Sequence, residues 1–374
     1  MSTARATQCG QPSAPPMDGE AATLAVVAAA TALVLVIFTT PLTTLGPTAL
    51  ALGASAGQEA WLLSAMPMGA AAGLLGAGAL GDSRGRRIVF LWGLAIMCAG
   101  SALAAMAAAP VVIIAARVAQ GIGGAAVIAC GLGLLGAVIP PGPARTRATG
   151  IWAAGLGCGV AGGPIIAALF TQLGGWPAAY WGTGVMAFAL LLAGRAVLPV
   201  EEATSARRVD LLGSVLLMIA VALLMAGLTE MRLGLFRPTV FGLLGGGVVV
   251  LAGFVAVEAR HRNPILDMTL FRQADFSAAT FAAFASGAGI LALMTLVPTL
   301  LARAMERDAL TAAFVLCAWS ATSVVTALGA RWLPEEWSPR SMLAVGRVAC
   351  AAAQLLLLGP RPNGAMAQLL PGLF

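Results

Sequence analysis

Three short constellations in this sequence could do chemistry in or beside an apolar medium. The first is Gly81-Asp82-Ser83-Arg84-Gly85-Arg86-Arg87. Its glycines permit a tight turn and close helix approach. Asp82 can pair with an arginine or cap the next helix. The same loop also reads as a plain basic anchor. The second is Arg117, followed by Gln120, Gly121, Gly123 and Gly124 in VVIIAARVAQGIGGAA. A charge well inside an apolar run is costly and usually faces a cavity or a partner. It can also snorkel to the interface or clamp loop carbonyls. The third is GLGCGVAGGP, with Gly159, Gly163 and Pro164. Small residues let helix backbones approach, and a proline kinks the helix. Static packing would use the same residues.

The elements that must position these groups follow from composition. Of 374 residues, 60% are hydrophobic and 10% charged. An ordinary soluble domain is about 45–50% apolar and about 25% charged, so lipid is the expected outer solvent. The six cysteines are scattered and the one histidine stands alone, so no metal site is expected. All 21 basic residues are arginine, and with the heavy alanine and glycine usage this suggests a GC-rich bacterial source.

A span needs roughly 20 apolar residues. That rule predicts eleven helices, at 22–46, 60–80, 88–107, 111–138, 150–171, 178–199, 211–230, 239–258, 277–301, 311–330 and 341–359. Residues 365–374 begin a further apolar run. With the amino terminus inside, fourteen arginines fall on the cytoplasmic side and five on the other, with two within spans. That bias predicts a multi-pass protein of a bacterial inner membrane with a cytoplasmic amino terminus. It also explains the basic pI near 9.5 without nucleic acid. The expected organisation is a tail at 1–21, a six-helix bundle at 22–200, a linker with two extra spans at 201–258, and an incomplete bundle at 259–374. Pro41 and Gly46-Pro47 interrupt the first span, as in helices that line transporter sites.

Together these features resemble the major facilitator superfamily. Gly81, Asp82, Arg84, Gly85, Arg86 and Arg87 resemble its cytoplasmic motif between spans 2 and 3. Arg117, Gln120, Gly121 and Gly123 resemble its span-4 motif. Gly159, Gly163 and Pro164 resemble the span-5 motif of its antiporters. The six-plus-two-plus-three layout is similar to the fourteen-span drug:proton antiporter branch. The resemblance implies an all-α, polytopic fold with eleven spans and part of a twelfth. It implies efflux of small organic molecules by alternating access, as in multidrug resistance, with protons as the candidate coupling ion. In that picture residues 81–87 form a cytoplasmic latch, Arg117 is the functional charge, and Gly159, Gly163 and Pro164 form a packed hinge.

The sequence departs from the pattern at three places. Ala167 and Ala168 stand where relatives end the span-5 motif with a glycine pair. Phe38 stands near the place of a span-1 aspartate. The interiors of the first six spans contain no Asp or Glu, which leaves Glu230 and Asp82 as candidate titrating groups. A cavity whose clear charge is Arg117 suits neutral or anionic solutes. The pattern also needs three more helices after span 11, so the chain is expected to be truncated or to take partner helices from elsewhere. The competing expectation is a non-transporting or regulatory membrane protein from an interrupted gene. No GxxxxGK[ST] loop occurs, and no nucleophile–base arrangement supports an enzyme. No cofactor is expected. The expected partners are a small-molecule solute and the lipid bilayer.

Overall fold

A computed structural model describes residues 18–200, 211–260, 270, 272–291 and 339–356, with isolated positions between 297 and 325. Every regular element among them is helical. The tail before Asp18, the segments 201–210, 261–269 and 326–338, the last part of predicted span 9, most of predicted span 10, the end of predicted span 11 and the run at 365–374 lie outside the described residues.

The first predicted span, 22–46, is longer and is broken by its own proline. It forms α1 (Asp18–Thr39) and α2 (Pro41–Leu52). Next come α3 (Ala56–Arg84), α4 (Arg86–Ala105) and α5 (Pro110–Val138). Local chemistry sets their ends. Ser55 and Gln58 form a reciprocal capping box that starts α3. Gly85, at φ +95°, turns the chain between α3 and α4. Prolines open α2, α5, α6 and α8, where a missing N–H costs nothing.

Predicted spans 5 and 6 form one helical run, α6 (Pro143–Val197), which starts seven residues before the expected 150. It is interrupted at Gly174 and Gly175, the latter at φ +72°. The two arms fold back on each other, since the Phe170 ring packs against Gly182. Then follow α7 (Leu211–Glu230), a 3-10 turn (Met231–Leu233), α8 (Pro238–Glu258), α9 (Ala274–Ser286) with a π turn (Gly287–Leu291), and α10 (Pro339–Leu356).

Contacts between small residues show the helix directions. Gly155, Gly159 and Gly163 lie beside Ala28, Ala32 and Val36, so the first arm of α6 runs parallel to α1. Gly69 and Gly73 lie beside Val118 and Ile122, so α3 runs parallel to α5. Gly184 lies beside Ser101 and Gly194 beside Leu91, so the second arm runs antiparallel to α4. The first six spans therefore alternate in direction. Their core holds Leu33, Ile37, Phe90, Leu94, Met97 and Leu134, all essentially inaccessible. Large apolar residues such as Leu103, Val185, Phe188 and Phe241 stay exposed. That is the arrangement expected when lipid is the solvent. Helix α7 packs on α3 and on α8. By length and composition, seven described helices can cross a membrane; α6 is one of these and contributes two arms.

Candidate functional site

The site begins at a missing hydrogen. Residue 41 would normally donate its N–H to the carbonyl of residue 37. Pro41 has none, so the Ile37 carbonyl is left without its helical partner. Arg117 supplies the donor. Its Nη1 donates to Ile37 O at 3.1 Å and its Nη2 to Phe38 O at 3.2 Å. Nη2 also contacts Met66 Sδ at 3.7 Å. The side chain is fully buried, at 0% exposure. Among the described residues no carboxylate pairs with it, and its printed hydrogen bonds to α1 go to carbonyl oxygens. Its Nε makes no hydrogen bond.

From Arg117 a polar chain crosses the bundle. Nη1 lies 3.5 Å from Gln120 Oε1, and Gln120 Nε2 donates to Ser101 Oγ at 2.9 Å. Thr183 Oγ1 lies 3.4 Å from Ser101 Oγ and donates to the Tyr180 carbonyl at 2.9 Å. Helices α1, α4, α5 and the second arm of α6 are thus joined through one buried network. Polar groups so placed hold a unique arrangement because each is costly to leave unpaired.

The span-4 glycines serve two neighbours. A Cβ at Gly121 would collide with the Met66 carbonyl on α3, and one at Gly123 would stand 2.7 Å from the Gly93 carbonyl on α4. In the first arm of α6, a Cβ at Gly159 would strike the Ala32 carbonyl, and one at Gly163 would strike Thr39 Oγ1. Pro164 is buried inside that arm, and the non-helical dihedrals fall at Gly174 and Gly175 instead.

The loop between α3 and α4 ties four helix ends together. Arg86 meets Asp82 Oδ1 through Nε at 3.0 Å and Nη2 at 2.9 Å. Its Nη1 donates to Gly133 O on α5 at 2.9 Å. Arg87 donates to Arg195 O, near the end of α6, at 2.7 Å. These carbonyls lie at or near helix C-termini, where a cation is favoured. At Gly81 a Cβ would stand 2.7 Å from Cys130 Sγ, so a larger residue there would have to displace that thiol. Arg84 lies apart, with its guanidinium 5.9 Å from the Trp92 ring centre.

A family model described as Major Facilitator Superfamily matches residues 23–374. The chain belongs to the major facilitator superfamily. Several relatives that it is similar to carry export or resistance names. One is the tetracenomycin C resistance and export protein of Streptomyces glaucescens, 34% identical over 61% of this chain and 43% of that protein. Another is the multidrug resistance protein Stp of Mycobacterium tuberculosis, 33% identical over 59% of this chain and 41% of that protein. The methylenomycin A resistance protein of Bacillus subtilis is 29% identical over 81% of this chain and 65% of that protein. In each alignment the chain spans less than two thirds of the relative's length. In fold the chain is similar to the human organic anion transporter MFSD10 (TETRAN). That match has a TM-score of 0.59 at 18% identity, over 96% of this chain and 82% of that one.

Within this superfamily fold, the structure brings Arg117 and Gln120 into one network, and Asp82, Arg86 and Arg87 into another. It does not bring the two together. Ser101, Thr183 and Tyr180 were not legible as partners, because single hydroxyls in apolar runs carry no pattern. Pro41 was the usable signal: a proline in a span releases a carbonyl that some donor must meet. Glu230 accepts from Trp61 Nε1 at 2.9 Å and pairs with Arg237 at 3.3 Å, at the end of α7. Arg145 clasps the end of α5, donating to Ile139 O at 2.9 Å and also to Gly136 O.

Proposed function

We propose that the chain acts as a secondary transporter that exports small organic molecules by alternating access. It does so in a bacterial inner membrane, with its amino terminus in the cytoplasm. The observation that carries this reading is the proline break in the first span, held by a fully buried arginine. Interrupted helices in transporters lie at the substrate path, and their freed carbonyls need a partner. The export names of the relatives support the direction and the class of solute. Arg117 serves this reading as a positioning residue, because its donors are committed to α1. The pair of Asp82 and Arg86, with Arg87, serves as the cytoplasmic latch. Residues 18–200 hold no Asp or Glu in a span interior, so the candidate coupling groups are Asp82 and Glu230.

The test is accumulation of tetracenomycin C and of a panel of neutral and anionic antibiotics in an efflux-deficient bacterial host. Cells making this chain should accumulate less of at least one compound, and Arg117→Ala should restore accumulation. Equal accumulation with and without the chain, at confirmed membrane abundance, would overturn the reading.

A further inference from the structure

In α10 the shielded side chains include a charge and an amide, while apolar ones face out. Val345, Val348 and Leu355 are exposed. Arg347, Cys350 and Gln354 are partly buried. These three recur at i, i+3 and i+7, which places them on one helix face. Water as the outer solvent would favour the opposite arrangement. A charge within an apolar helix that turns away from lipid faces a polar partner or a polar path.

Gln354 meets α9 where that element widens. Gly287–Leu291 forms the π turn. Such a turn departs from the i→i−4 hydrogen-bond pattern and is frequent at functional sites. A Cβ at Gly289 would stand 2.8 Å from Gln354 Nε2 and 3.3 Å from its Oε1, so glycine gives the amide its place. Among the described residues, no hydrogen bond or ion pair engages Arg347 or Gln354. The first bundle differs, because Arg117 is committed to α1 and Gln120 to Ser101. On the described parts of α9 and α10 the carboxylate is Asp275, in the first turn of α9, and it already has a partner. A guanidinium and an amide, neither engaged, therefore share one face of α10, two turns or about 10 Å apart along its axis.

We propose that Arg347 and Gln354 recognise an organic anion. Its carboxylate meets the planar guanidinium fork of Arg347. A neutral amide or carbonyl farther along the molecule meets Gln354, which offers both donors and an acceptor. A cationic solute would face Arg347 with like charge. This solute class deepens the export reading and rests on it for the anion being cargo, whereas binding is measurable by itself.

The experiment is equilibrium binding to the purified full chain in maltoside detergent, with protein-free micelles subtracted. The probes are 4-benzamidobenzoate, its methyl ester, which removes the charge, and trans-stilbene-4-carboxylate, which removes the amide. The native chain should bind 4-benzamidobenzoate about tenfold or more tighter than the ester, and about threefold to tenfold tighter than the stilbene, the span of one charged and one neutral hydrogen bond. Arg347→Gln should erase the first preference and keep the second; Gln354→Leu should do the reverse. A misfolded chain would lose both together. Gly289→Ala, whose methyl would displace the flexible end of Gln354, should act like Gln354→Leu. Gly287→Ala, where a Cβ meets nothing within 4 Å, should act like the native chain. Equal binding of acid and ester by the native chain, or native preferences in either Arg347→Gln or Gln354→Leu, would overturn the proposal. So would a co-purified phospholipid that 4-benzamidobenzoate displaces and that Arg347→Gln lacks, which would assign the site to membrane lipid. Intact binding preferences with unchanged accumulation of the probe in cells making the chain would overturn the export reading and leave the site standing.

Discussion

Arg117 Nη1 donates to the carbonyl oxygen of Ile37 at 3.1 Å, and that carbonyl is the one Pro41 leaves unmet in the first span. A helix break and a buried charge, 76 positions apart in sequence, thus solve one problem between them. Each alone is costly in lipid. Together they place a fixed bend in the first span and fasten it to α5.

This relationship predicts coupling between the two positions. Arg117→Met leaves two buried carbonyls unpaired, at about 1–3 kcal/mol each, so the melting temperature in detergent should fall sharply. Arg117→Lys should fall nearly as far, because an ammonium lacks the planar fork that spans both carbonyls. Pro41→Ala restores a donor for Ile37. In the Arg117→Met background it should recover part of the loss, a coupling of about 1 kcal/mol. Strict additivity of the two substitutions would contradict the account.

The α1–α6 contact makes a position-specific prediction. Gly159→Ala should destabilise by about 1–3 kcal/mol, because its methyl would strike the Ala32 carbonyl. Gly162→Ala should be neutral or stabilising, because its Cβ meets only Ile166 Cδ1 at 3.8 Å and alanine favours helix. Thermal unfolding of the two variants side by side decides it. Similar melting temperatures would mean the close approach is not tight.

The loop between α3 and α4 predicts a separation of function from folding. The Asp82–Arg86 pair is largely solvated, with the two side chains 54% and 30% exposed, so it contributes at most about 1 kcal/mol. Asp82→Asn should leave membrane abundance unchanged and reduce efflux. Parallel losses of abundance and efflux would assign Asp82 to folding.

Docking of the extra helices is open to cross-linking. Leu233 Cδ1 stands 3.0 Å from the position of a Cβ on Gly57. The double variant Gly57→Cys, Leu233→Cys should therefore be joined by a short thiol-specific cross-linker. Trp61→Phe, which removes the hydrogen bond to Glu230, should lower the yield. No cross-link in the otherwise native chain would show that the pair sits elsewhere.

By itself the sequence determined the solvent, the element type and the order of the first eight spans. Those follow from runs of apolar residues long enough to cross a bilayer, a property carried by neighbours in sequence. It also located Arg117, Asp82 and Gly159, because a charge or a glycine cluster stands out against an apolar run. What each touches was decided only by tertiary structure. Nothing near Arg117 in sequence says that its donors go to the carbonyls of Ile37 and Phe38. Nothing near Gln120 points to Ser101, nor near Glu230 to Trp61. Those pairings depend on which helix faces meet, and small-residue packing sets the faces through contacts between spans. The bend at Pro41 was readable; that α5 would hold it was not.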